Sequence, residues 1–539
     1  MTELSGHGGE HAVRALRRFG VREIFTLSGG HIFPFYDAAR AQDVRIVDVR
    51  HEATATFAAE GMAKLTRRPG VAVLTAGPGV TNGVSAVTSA WFNGSPLVVL
   101  GGRAPQGRWG AGSLQEFDHV PVLAPITKHA ATVTAVERIG TDVVAATTAA
   151  LTPHRGPVFL DFPLDVIFAT GTGDVPDRPP ITGPEPDPDD VHRAAAMLAA
   201  AERPALIAGT DLYWAGAWGA LRELVETFGV PTFVNGLGRG CLPADHHLAF
   251  SRTRGLIKTE ADLVVVVGTP LDFRLSFGQF GDAGVVHIVD HPSQRAAHVE
   301  VAVSPAGDLT AILEGMASWE GDRRDHTAWI ERLRAAEDEA AAAEAALLAA
   351  ATTPIKPTRV YGELRRVLDR DAVVICDGGD FVSYAGRYVD SFEPGCWLDP
   401  GPYGCLGTGL GYAAAARLAH PDRQVVLLLG DGAAGFSLMD VDTLVRHRLP
   451  VVIVVGNNGI WGLEKHPMKL LYGYDVAADL QPGCRYDEVV RALGGAGETV
   501  TDPSELGDAL KRALAADTPY LVNVITDPAD MYPRSSNLA

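Results

Sequence analysis

The sequence predicts an α/β protein built from three doubly wound parallel-sheet domains. Short apolar, β-rich runs alternate with helical stretches, and Gly-rich breaks fall at the ends of those runs. Two Pro-rich segments divide the chain, and 539 residues exceed what a single hydrophobic core supports.

The first domain is expected over residues 1–170, with helices at Glu10–Phe19 and Glu52–Leu65. Its β-rich runs are Glu23–Phe25, Val71–Thr75, Leu97–Leu100 and Val158–Leu160, apolar enough for buried parallel strands. Gly171–Pro188 is dense in Gly, Pro and Asp and reads as a linker. The second domain, residues 190–350, begins with helix Asp189–Ala201, strand Ala205–Ala208 and a helix running to Phe228. Strands Thr232–Val234, Leu263–Val267 and Val285–Val289 follow, then an Ala/Glu-rich helix at Thr327–Ala351. The turn Ala208-Gly209-Thr210 lacks the full GxGxxG, so support for a dinucleotide site there is weak. Pro354 and Pro357 mark the second linker, and the third domain is expected over residues 357–539. The last stretch, Tyr532–Ala539, is expected to be too short for a long closing lid.

Composition narrows the function. The formal charge of −19 argues against nucleic acid or an anionic membrane as partners. Hydrophobic content of 47% with 21% charged residues fits a soluble globular protein, and the apolar runs are too broken for a membrane span. Five cysteines without CxxC spacing fit a reducing compartment, and Met1–Glu10 does not read as a signal segment. The cytoplasm is the expected location.

The strongest chemical signal is Gly430-Asp431-Gly432, which follows the apolar strand Val425–Leu429. Asn457 and Asn458 follow the next such strand, Val451–Val455, with room for one crossover helix between. Parallel neighbours end side by side, so Asp431 and Asn458 can meet there as oxygen ligands for a hard cation such as Mg²⁺. Gly430 and Gly432 allow close approach of a ligand, and the helix after Gly432, with Ala433 as a further cofactor-side candidate, directs its positive end at the same point. Metal and helix end together describe a diphosphate site.

This GDG…NN segment, taken with Arg50-His51-Glu52, resembles the thiamine diphosphate (ThDP) decarboxylase and carboligase superfamily. The resemblance covers essentially the whole chain and implies pyrimidine-binding, middle and diphosphate-binding domains in that order. It implies that Asp431, the side chain of Asn458 and the backbone carbonyl of Ile460 hold Mg²⁺. Glu52 would bond N1′ of the cofactor's aminopyrimidine and favour the tautomer whose 4′-nitrogen takes the proton from C2. On the residues alone, a carboxylate at a helix start is more often a cap. Leu406, within Tyr403–Gly409, would support the thiazolium ring. Asp377-Gly378-Gly379-Asp380 matches the family's other diphosphate-side loop, although Asp380 adds negative charge near an anion.

His31 and Gln115 fall where thiamine carboligases have active-site residues; taken singly, each would be an ordinary polar side chain. The Gly-Gly-His at residues 29–31 is closer to benzaldehyde-lyase-like enzymes than to the Gly-Gly-Ala of acetolactate synthases. Arg274 ends a segment resembling the acetolactate synthase stretch that contacts flavin or the second keto acid. The same segment, with Trp461 as a further substrate-side candidate, also resembles 2-hydroxyacyl-CoA lyases. Pro467 replaces a Trp found in plant and fungal acetolactate synthases. The resemblance favours acetolactate synthase-like carboligation of pyruvate. The alternatives are a 2-hydroxyacyl-CoA or 2-hydroxy ketone lyase, and a catalytically silent homologue. The expected ligands are a 2-keto acid or 2-hydroxy carbonyl substrate, ThDP and Mg²⁺, with FAD, ADP or nothing in the central domain. A homodimer or homotetramer with sites between chains is expected.

Overall fold

The computed structural model describes residues 2–533, so the expectation for the C-terminal stretch falls mostly outside the described residues. Among the described residues, the strands form three all-parallel sheets and one antiparallel pair, as the sequence led us to expect of an α/β chain with three domains. The N-terminal sheet runs, in spatial order, Arg45–Asp48, Glu23–Thr26, Gly70–Leu74, Leu97–Arg103, Val158–Pro163 and His129–Thr132. The central sheet runs Thr232–Val234, Pro204–Ala208, Leu263–Val267 and Gly284–Ile288. Every residue of Leu263–Val267 is buried, which is why this strand is a continuous aliphatic run instead of an alternating one. In the C-terminal sheet, Val373–Asp377, Val425–Gly430 and Val452–Asn457 are adjacent. Asp377, Gly430 and Asn457 therefore end three neighbouring strands on one edge, the usual ligand-binding edge of an open parallel sheet.

Two expectations need correction. The beginning of Gly171–Pro188 is not a linker: Thr170–Val175 is a strand paired antiparallel with Thr2–His7. Its glycines make this possible, because a Cβ at Gly173 would stand 2.4 Å from the Glu137 carbonyl oxygen. The crossover after Gly430 is not one helix but two short ones, Asp431–Ser437 and Val441–Arg446, around a 3-10 turn at Leu438–Asp440. Asp440 is occupied at that break. Its carboxylate accepts from the Arg50 backbone N–H at 2.7 Å and from the Thr54 and Thr443 hydroxyls at 2.6 and 2.8 Å.

The N- and C-terminal domains share one hydrophobic core. Helix Glu52–Thr66 crosses helix Gly409–Ala419 so closely that a Cβ at Gly411 would lie 2.8 Å from the Thr54 carbonyl oxygen. Inside the crossing, Lys64 pairs with Glu60 at 3.1 Å, and Tyr412 donates to the same carboxylate at 2.8 Å. Tyr213 of the central domain donates to the Lys64 carbonyl, so one helix is fixed by both other domains. No helix among the described residues is long and apolar enough to cross a membrane.

Candidate active site in two halves

The N-terminal half is built on the turn Thr75–Gly79, which follows strand Gly70–Leu74. The structure brings Glu52, His31 and Gln115 together around it. Glu52 is the first residue of its helix and is buried; its Oε2 accepts from the Asn82 amide at 3.0 Å. Gly79 faces Glu52, a Cβ there standing 3.8 Å from Oε1. The His31 Nδ1 lies 3.3 Å from the Thr75 hydroxyl, and the ring also hydrogen-bonds the Leu114 backbone. Burial, and then the nearby His119 ring, hold its pKa below the ordinary histidine value, so the imidazole stays neutral at neutral pH. Gln115 has a left-handed backbone, φ +58°, and its Cβ would be 2.9 Å from a Cβ placed on Gly77.

The C-terminal half is a cavity of 460 Å³. It is lined by Gly378, Gly379, Leu406, Gly430, Asp431, Gly432, Ala433, Asn458, Ile460 and Trp461, together with Arg274 from the central domain. Asp431 accepts from the Gly459 backbone at 2.7 Å and from Gly432 at 3.1 Å, and burial pushes its carboxyl up to about 6. The Asn458 Oδ1 accepts from the Ile460 N–H at 3.1 Å. Gly432 has to be small because the Trp461 ring would lie 2.5 Å from its Cβ. Gly378, at φ +76°, is pressed between Ala433 and Leu406, each under 3 Å from a Cβ there. The charge expected of Asp380 is engaged, since its carboxylate accepts from the Tyr532 N–H at 3.1 Å.

Among the described residues, none from the N-terminal domain lines the Asp431 cavity. A second cavity, of 540 Å³, lies between the N-terminal and central domains and presents Lys128, Arg155, Thr210 and Asp211. Arg274 lines both cavities, and Asp272 clamps its guanidinium at 2.7 Å. His154 sits 3.1 Å from Asp290 and 3.7 Å from Asp211.

Two residues of the site, His119 and Asp161, escaped sequence reasoning, and for Asp377 the sequence marks its place in the diphosphate-side loop but not its bonds. Asp377 is wholly buried and accepts from Gly407 at 3.1 Å and Gly409 at 2.8 Å, which fixes the loop carrying Leu406. Burial pushes its carboxyl up to about 7. His119 and Asp161 bond each other at 3.0 Å beneath the N-terminal turn. The one available signal for Asp161 was an acid inside the apolar strand Val158–Pro163.

Comparison with known proteins matches three family models along the chain. They are described as the thiamine pyrophosphate enzyme N-terminal TPP binding domain (residues 6–122), central domain (191–316) and C-terminal TPP binding domain (377–524). The chain is 54% identical over 540 residues to a probable acetolactate synthase of Mycobacterium bovis, covering 99% of this chain and 98% of that protein. The acetolactate synthase large subunit IlvG of Mycobacterium tuberculosis matches with the same identity and coverage. The 2-hydroxyacyl-CoA lyase 2 of Homo sapiens is 34% identical, over 97% of this chain and 90% of that protein.

Proposed function

This chain belongs to the thiamine pyrophosphate-dependent enzymes, and from that premise we propose that it joins pyruvate to a second 2-keto acid with loss of CO₂. The observation that carries the reading is full-length identity of 54% to acetolactate synthases, against 34% to the lyases.

The residues of the C-terminal cavity fit the cofactor and its metal. A carboxylate, a carboxamide oxygen and a backbone carbonyl are the hard donors Mg²⁺ takes, at Asp431, Asn458 and Ile460. The buried Asp431 carboxyl, raised by desolvation, is the kind of charge a divalent cation compensates. Gly378 and Gly379 open the backbone to a diphosphate, and Leu406 offers an apolar surface for a ring. Thiamine diphosphate, when bound, supplies the carbon nucleophile and the electron sink for decarboxylation.

The side chains of the N-terminal half handle protons. Glu52 would hold a proton at N1′ of a bound aminopyrimidine, a role supported by its burial and by the Asn82 amide that fixes its Oε2. Neutral His31 can accept or return a proton at the acceptor carbonyl oxygen, and Gln115 can hydrogen-bond the same oxygen. Arg274 can orient a substrate carboxylate at the cavity edge, sharing its charge with Asp272. Because Glu52 and Asp431 face different spaces in one chain, a second copy brings them together, in a homodimer or homotetramer. The 540 Å³ cavity, with Lys128 and Arg155, suits the phosphates of ADP or FAD. The five free thiols suit a reducing compartment, the cytoplasm.

Acetolactate formation from pyruvate with ThDP and Mg²⁺, abolished by EDTA, is the expected result. Absence of acetolactate at high enzyme concentration would sink the synthase. The buried His31 supports a second reading, cleavage of a 2-hydroxyacyl-CoA or 2-hydroxy ketone, and those substrates belong in the same assay.

A further inference from the structure

We infer that His119 is a positioning residue: its Nε2 lone pair holds the turn on which Glu52, His31 and Gln115 are assembled. The role concerns the reaction proposed above, while the protonation state it requires can be read without any substrate.

A backbone N–H can only donate. The Gly77 N–H meets His119 Nε2 at 2.9 Å, so that nitrogen carries the lone pair and the ring proton sits on Nδ1. Nδ1 lies 3.0 Å from Asp161 Oδ2, an acceptor that selects this tautomer. Arg103 donates to the same oxygen at 2.9 Å and to Asp118 at 2.9 Å. Both His119 and Asp161 are wholly buried. His119 lines neither cavity, so it acts through what it holds and is not a catalytic residue.

What it holds is specific. Gly77 and Gln115 are both left-handed, at φ +61° and +58°, and they press against each other. A non-glycine residue keeps that conformation only when its surroundings over-determine it. His119 provides the constraint, being four residues beyond Gln115 and bonded to Gly77. One end of the same turn touches His31 through Thr75, and the other faces Glu52 at Gly79. One imidazole thus fixes the spacing of all three groups.

The test compares full-length wild type with His119→Gln, His119→Phe and Asp161→Asn. Glutamine can present an amide oxygen to the Gly77 N–H, whereas phenylalanine fills the volume without an acceptor. With pyruvate at saturating ThDP and Mg²⁺, His119→Phe should lose at least about tenfold in kcat, since a misplacement of about 1 Å can cost about 10²-fold. Quenching of Trp fluorescence by ThDP and Mg²⁺ should be unchanged, and His119→Gln should return kcat to near the wild-type value. Equal loss in both variants, or an unchanged kcat with only a lower Tm, overturns the role. Imidazole ¹⁵N shifts, assigned by the signals missing from His119→Gln, read the tautomer directly. The wild type should show Nδ1–H at neutral pH, and Asp161→Asn should shift it. An Nε2–H or doubly protonated ring in the wild type overturns the inference, even if pyruvate proves not to be a substrate.

Discussion

His31 shows how local environment selects chemistry at the scale of one residue. It is packed so tightly that a Cβ on Gly102 would lie 2.5 Å from its own Cβ, and its ring nitrogens face Thr75 and the Leu114 backbone. Burial penalises the imidazolium, and the second ring, His119, adds to that penalty. With the pKa lowered, the neutral form required to accept a proton persists at a pH where an exposed histidine would already be charged. The acid limb of kcat/KM is therefore expected below about pH 6.5, the ordinary histidine value. His31→Asn should abolish that limb and lower kcat/KM by about 10²–10⁴, the range of general acid–base catalysis. An unmoved limb in that variant assigns the titration to another group. Asp431, Asn458 and Glu52 were legible in the sequence because short motifs fix them to strand or helix ends. His119 and Asp161 were not, nor were the bonds that Asp377 makes, because their partners are backbone N–H groups or side chains brought close only by folding.

At the scale of elements, the parallel strands were readable because burial on both faces leaves continuous aliphatic runs. Connections were less readable. The strand at Thr170–Val175 is Gly- and Asp-containing, and its pairing with Thr2–His7 depends on a partner far away in sequence. The crossover after Gly430 breaks because Asp440 bonds across the domain boundary to Arg50 and Thr54, which no local pattern encodes. The cavity between the N-terminal and central domains belongs to this scale as well, since elements of both domains wall it. If it holds a nucleotide, equilibrium dialysis should show saturable binding of ADP or FAD that Arg155→Ala weakens. No saturable binding of either would leave the cavity without that role. Salt should weaken the binding too, because its phosphate contacts are electrostatic.

For the whole molecule, the outcome is a division of labour. The groups proposed to handle protons lie round one turn of the N-terminal domain, and those proposed to hold metal and diphosphate lie at the C-terminal strand ends. The intrachain crossing of helices Glu52–Thr66 and Gly409–Ala419 packs the two domains on one core, with the buried Glu60, Lys64 and Tyr412 inside it. Glu52 does not line the Asp431 cavity of its own chain, which is what supports the proposal that a complete site is made from two chains. Complementation in trans tests this most directly. Glu52→Ala and Asp431→Ala should each be inactive alone. Once mixed and allowed to exchange subunits, they should recover about a quarter of wild-type activity, because half of the symmetric dimers are mixed and each mixed dimer has one intact site. Recovery of activity on mixing is the predicted result; a mixture that exchanges subunits but stays inactive would contradict the shared site.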